Sequence, residues 1–263
     1  MSTPCFHVDA FTDRSFAGNP AAVCLLDAAR PAKWMQAFAA EMNLSETAFV
    51  APGKTHLQLR WFTPVTEVAL CGHATLATAH VLWSEGIAPK GIDLRFATKS
   101  GVLTARLLPK GRVELDFPAR PVLKGKVAAA ALAKALGAKP KAVVKVADDV
   151  LVELTSEAAV RGLTPDLAKL AKVDARGVIV TARSKKHDFV SRFFGPRVGV
   201  AEDPVTGSAH CALAPYWAGK LGKTNLKGFQ ASARGGEVEC QLAGERVLLR
   251  GSAVTVMRAT ILV

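Results

Sequence analysis

Over much of the chain, apolar and polar residues alternate or give way to short, wholly apolar blocks, the pattern of strands with one or both faces buried. In the first half CFHVDAFT, AAVCLL, LQLRWFT, IDLRFAT, GVLTARLL and RVELDFP read this way. The second half offers DVLVEL, GVIVTA, DFVSRFF, EVECQL and RVLLRGSAVTVMRATILV. Helical spacing is rarer. PAKWMQAFAAEM opens on a proline, KVAAAALAKALG closes on a glycine, and TPDLAKLAKV, HATLATAHVLWSEG and SAHCALAPYWAGKLG complete the set.

Two of these helices, over residues 73–85 and 208–221, are apolar almost all round, as a helix enclosed by other elements must be. Pro215 falls inside the second and is expected to kink it. The approaches to the two helices match each other. EVALCGHATLA from Glu67 lies over EDPVTGSAHCA from Glu202 without a gap, setting Cys71 on Thr206, Gly72 on Gly207 and His73 on Ser208. Such self-similarity signals internal duplication. The architecture expected is therefore α+β, with two pseudo-symmetric halves, each a sheet rolled around a central helix. The prolines and glycine of DFPARPVLKG place the break near residue 118. An N-terminal half over 1–118, joined by the final strand near 253–263, and a C-terminal half over 119–252 are expected.

Composition narrows the function classes. The chain has 263 residues and a formal charge of +12, but the basic residues are mostly scattered and the densest runs, KGKVAAAALAKALGAKPKAVVK and RSKKHD, have no aromatic residues interleaved for base stacking. No apolar run is long enough to cross a bilayer, and MSTPCFHVDAFTDRS lacks a charged start followed by an apolar core, so a soluble, unexported protein is expected. Five cysteines, odd in number and widely spaced, suit reduced thiols in the cytoplasm. No CxxC, HExxH or similar metal-ligand spacing is present, so no metal is expected.

Candidate chemistry gathers at the two helix starts, where free backbone N–H groups and the helix dipole favour an anion. Gly72 and Gly207 bring the chain into these starts, and His73 and Ser208 sit where side chains can meet a ligand. Plain structural alternatives are a core histidine and a helix cap. Asp203, made extended by Pro204, is expected either to pair with His73 and raise the imidazole pKa or to stabilise its own loop. Glu46, in the polar interruption of NLSETAFV, can act as an acid/base if burial raises its pKa, or can simply cap a turn. Cys71 offers a rival chemistry, a two-thiol racemase, but its duplicate is Thr206.

Taken together, FAGNPAAV, NLSETAFV, LCGHATLATAHVL, RFFGPRVGVAEDPVTGSAHCAL and ASARGG resemble the PhzF family of phenazine biosynthesis isomerases. The resemblance implies the diaminopimelate epimerase-like fold, an active site in the cleft between the halves, a homodimer, and no metal or organic cofactor. It implies Glu46 as the acid/base of an isomerase, with His73 and Asp203 as further catalytic residues. Asn19, Gly72, Gly207 and Ser208 would bind a small carboxylate-bearing substrate, with trans-2,3-dihydro-3-hydroxyanthranilate as the namesake's reactant. Neither nucleic acid nor membrane is expected as a partner. The alternatives are a cysteine-dependent amino-acid racemase or epimerase using Cys71, a non-catalytic small-molecule binding protein and, on charge alone, a nucleic-acid binder.

Overall fold

A computed structural model describes residues 3–125 and 127–263 of the protein. Met1 and Ser2, at the start of the segment read for a secretion signal, and Lys126, inside a basic run, lie outside the described residues. The chain divides into two compact units. One takes the residues through Phe117 together with Arg250–Val263, and the other takes Pro118–Leu249.

The first unit is built on β1 (Thr3–Ala10), β2 (Asn19–Leu25), α1 (Ala32–Met42), β3 (Glu46–Ala51), β4 (Leu57–Phe62), β5 (Glu67–Val68), α2 (Gly72–Ser84), β6 (Leu94–Thr98), β7 (Gly101–Leu107) and β8 (Val113–Pro118). The C-terminal strand, Ala253–Ile261, returns to pair antiparallel with β1. β1 and β2 are antiparallel, and β3 lies parallel to β2 because α1 carries the chain across. β4 is antiparallel to β3; its other edge is shared by β5, antiparallel, and β6, parallel. α2 packs on β1, β2, β3, β7 and the C-terminal strand. Ten of its side chains, His73 among them, are buried, which accounts for its lack of a polar face.

The second unit repeats this plan with β9 (Val122–Leu123), α3 (Ala129–Leu136), β10 (Ala142–Val146), β11 (Asp149–Glu153), α4 (Glu157–Arg161), α5 (Leu167–Leu170), β12 (Val178–Arg183), β13 (Phe189–Gly195), β14 (Val200–Asp203), α6 (Gly207–Leu221), β15 (Asn225–Gln230), β16 (Gly236–Ala243) and β17 (Arg246–Gly251). β11 and β12 are parallel, β12 and β13 antiparallel, and β13 shares its far edge between β14 and β15. α6 continues past Pro215 to Leu221 and packs on β9, β15 and β16.

The duplication extends to individual bonds. Arg60 grips both oxygens of Glu67 through Nε and Nη2 at 2.8 Å while lying over the Phe62 ring. In the second unit Arg192 grips Glu202 through the same two nitrogens at 2.7 and 2.8 Å and lies over Phe194. The Arg60 guanidinium holds the Glu67 carboxyl down at about 2. Cys71 and Thr206 are the N-cap residues of α2 and α6, and each N-cap carbonyl accepts a bond from a side chain four residues on, Thr75 Oγ1 in one unit and His210 Nδ1 in the other.

Register carries the equivalence to the strands. Thr47 pairs Phe62 as Val178 pairs Phe194, so Glu46 of the first unit corresponds to Gly177 of the second. A Cβ on Gly177 would lie 2.2 Å from Phe193 Cζ. The ring that fills this place is itself buried, so it can yield only by disturbing the core. Gly177→Ala is therefore expected to lower unfolding free energy by about 1–3 kcal/mol through overpacking. Urea denaturation of the purified variant checks this; wild-type stability would show that Phe193 gives way freely.

Candidate functional site

The residues singled out from the sequence fall into two groups, one in each unit. In the first, Glu46 begins β3, Asn19 begins β2, and Gly72 and His73 are the first two residues of α2. Parallel pairing sets Glu46 opposite Ala21, two residues along from Asn19. α2 runs against β2 and β3 and delivers His73 to the same end.

His73 is the centre of this group. Its Nδ1 lies 3.1 Å from Asn19 Nδ2 and 3.6 Å from Cys71 Sγ, and its Nε2 lies 3.3 Å from Glu46 Oε2. The last separation is within ion-pair range but lacks hydrogen-bond alignment. Burial pulls the imidazole pKa down to about 3, against a hydrogen bond to the Pro20 backbone that works the other way. The ring is therefore neutral at ordinary pH, the opposite of the expected rise, because desolvation outweighs the one hydrogen bond that favours its charged form. Nδ1 faces Asn19 and Cys71, while Nε2, without a hydrogen-bond partner among the described residues, faces Glu46. Glu46 keeps one-fifth of its side chain exposed while His73 keeps 4%. The acid thus stands at the edge of the group with the neutral imidazole behind it.

One donor atom each from Glu46, Cys71 and His73 lie within 4.8 Å of one another, a set that a divalent cation could bridge. Sequence spacing gives no hint of it, since β3 supplies the carboxylate and the start of α2 the other two donors. Cys71 is buried at the N-cap of α2. Cys211, the only other thiol near either helix start, has its pKa pushed up to about 12 by burial, so it is no second base.

In the second unit Asp203 ends β14, and Gly207 and Ser208 open α6. Asp203 Oδ2 accepts from Thr206 Oγ1 at 2.5 Å, and Gln230 Nε2 bridges the Asp203 carbonyl and the Thr206 hydroxyl. Ser208 does not cap the helix. Its Oγ accepts from Arg176 Nη2 at 3.1 Å. Arg176 in turn forks onto Asp149, Nε to Oδ1 at 2.9 Å and Nη2 to Oδ2 at 2.5 Å, and Arg120 Nη1 approaches Asp149 Oδ2 at 3.4 Å. Arg176, Arg120 and Asp149 went unnoticed in the sequence. Extending the internal match to set SETAFV on RGVIVT would have placed Arg176 beside the duplicate of Glu46.

Comparison with known proteins bears on the family and the fold. The sequence pattern of the phenazine biosynthesis-like protein family, PhzC-PhzF, matches residues 8–259. An uncharacterized isomerase of Halalkalibacterium halodurans is 49% identical over 265 residues, covering 100% of this chain and 99% of the relative. The crystal structure of a PhzF-family phenazine biosynthesis protein from Enterococcus faecalis superposes with a TM-score of 0.93 at 40% identity, covering 100% of both chains. A hydroxyproline epimerase of Agrobacterium vitis, solved with trans-4-hydroxy-L-proline, shares the fold at a TM-score of 0.66 and 9% identity, over 99% of this chain and 92% of its own. The fold is thus that of the epimerase-like class.

The buried imidazoles leave a mark on stability. Burial holds the His73 imidazole down at about 3 and that of His210 at about 4, both below the ordinary histidine value of 6.5. Between 6.5 and these values the unfolded chain binds protons that the folded chain does not, so stability is full above 6.5 and declines as pH falls. Thermal melting from pH 7.5 down to 4.5 should show a falling midpoint, and nitrogen-15 NMR should still report neutral rings for both histidines at pH 5.

Proposed function

Because the chain belongs to the PhzC-PhzF phenazine biosynthesis-like family, whose relatives include proteins named as isomerases, we propose that it is an isomerase that moves a proton within a small carboxylate-bearing metabolite, with Glu46 as the general acid/base. The observation that carries this reading is the placement of the Glu46 carboxylate 3.3 Å from a buried, neutral His73 at the head of α2.

The Glu46 carboxylate takes a proton from a carbon α to the substrate's acid group, or conjugated with it, and returns it to another carbon of the same molecule. One C–H bond breaks and another forms, and no electrons leave the substrate. His73 Nε2 lies beside the attacking oxygen, and the neutral imidazole supplies a polar group next to the negative charge that builds on the substrate as the proton leaves. Asn19 fixes the ring through Nδ1. Gly72 and Gly207 supply backbone N–H groups, Ser208 and Asp203 shape the head of α6, and trans-2,3-dihydro-3-hydroxyanthranilate is the first substrate to try. A two-thiol racemase is disfavoured by Thr206, which occupies the N-cap duplicate of Cys71 and gives its hydroxyl proton to Asp203.

Incubation with that acid in deuterated water tests the reading by mass spectrometry of the product. Deuterium is expected on carbon in the wild type. Glu46→Gln should cut turnover at least about a hundredfold, the scale of a lost general acid/base. Wild-type turnover by Glu46→Gln on any substrate of the enzyme would remove Glu46 from the chemistry. Replacing His73 with Asn should lower kcat by about tenfold or more through loss of the group behind Glu46, with circular dichroism as the control for folding.

A further inference from the structure

The second unit places a charged pair where the first places Glu46 and His73. Ser208 is the duplicate of His73, and Arg176 is the residue next to the duplicate of Glu46, Gly177. His73 meets Glu46 at 3.3 Å; Ser208 meets Arg176 at 3.1 Å. One half-site therefore ends in a carboxylate and the other in a guanidinium.

The charges around Arg176 do not balance. Asp149 is buried and is the acid that both Arg176 and Arg120 engage, so among the described residues two positive groups share one negative group. Arg176 commits Nε and Nη2 to Asp149 and Nη2 also to Ser208, while its Nη1 has no hydrogen-bond partner among the described residues. A third of its side chain is exposed, and the guanidinium is held over the Phe193 ring at 5.4 Å. Its backbone is pinned too, with N–H donating to the Asp148 carbonyl at 2.7 Å. Ser208 Oγ accepts from Arg176, which leaves the serine O–H free to donate. A guanidinium nitrogen and a hydroxyl thus lie side by side with hydrogens left to donate.

We infer that Arg176, oriented by Asp149 and joined to Ser208, binds a carboxylate of the substrate. Its Nη1 and the Ser208 hydroxyl donate to the two carboxylate oxygens, and the one surplus positive charge matches a monoanion better than a phosphate dianion. The inference rests on the proton-transfer reading for the meaning of the bound acid as substrate, while the binding itself can be measured without any turnover.

The test is isothermal titration calorimetry of acetate, succinate, benzoate, anthranilate and inorganic phosphate into the full-length protein. Wild type should bind at least one carboxylate, and more tightly than phosphate. Arg176→Gln should weaken that binding at least about tenfold, Arg176→Lys by an intermediate factor because the fork is lost, and Ser208→Ala by about threefold or more. Glu46→Gln should bind within about twofold of wild type. Phenylglyoxal labelling of the wild type, read by peptide mapping, covers the case in which Arg176→Gln fails to fold: the bound carboxylate should protect Arg176. Absence of carboxylate binding, equal binding by Arg176→Gln, preference for phosphate, or labelling of Arg176 that carboxylate leaves unchanged would each overturn the inference. If instead Glu46→Gln keeps full turnover while Arg176→Gln loses affinity, the acid/base assignment fails and the carboxylate site stands.

Discussion

A helix with no polar face has to be hidden along its whole length, and in each unit that requirement organises the rest. α2 buries ten of its residues and α6 as many, including the glycine that opens it. Strands must roll around such a helix, since no single flat face would cover it. The one part that can escape enclosure is the first turn, where four N–H groups have no partner within the helix. Burial of an apolar cylinder therefore leaves one polar end per unit, and the candidate residues gather there.

The two openings share a scaffold and differ in charge. Both are framed by an arginine forked onto a glutamate beside an aromatic ring, and both tie the N-cap carbonyl to a side chain one turn later. At the tips they diverge. The first unit sets Glu46 against an imidazole that burial keeps neutral, while the second sets Arg176 against a hydroxyl. Duplication has thus kept the frame of each half and changed the side chains at its tip.

Much of this was readable before any coordinates. The apolar runs at 73–85 and 208–221 stood out because enclosure forbids the usual polar stripe, and they match α2 and α6 to within a residue at each end. Glu46 and His73 could be named individually from their neighbours, but their approach could not, because 26 residues and the strands β4 and β5 lie between them. The strand Asn225–Gln230 escaped notice for a different reason: Gly228 breaks the β pattern, and it is there because a Cβ would come 2.5 Å from the Phe189 ring. α4, one turn over Glu157–Arg161, is too short for helical periodicity to register. Arg176 was hidden by its type, since an arginine beside a strand reads as surface until Asp149 is seen beneath it.

Phe193 also bears on how such a protein could change its chemistry over generations. Its ring occupies the place where the counterpart of Glu46 would begin, and the same ring supports the Arg176 guanidinium from below. Regaining an acid at position 177 would first require a smaller residue at 193, and that step would unseat the arginine before the new acid had any use. No single substitution at position 177 therefore turns the second half into a copy of the first.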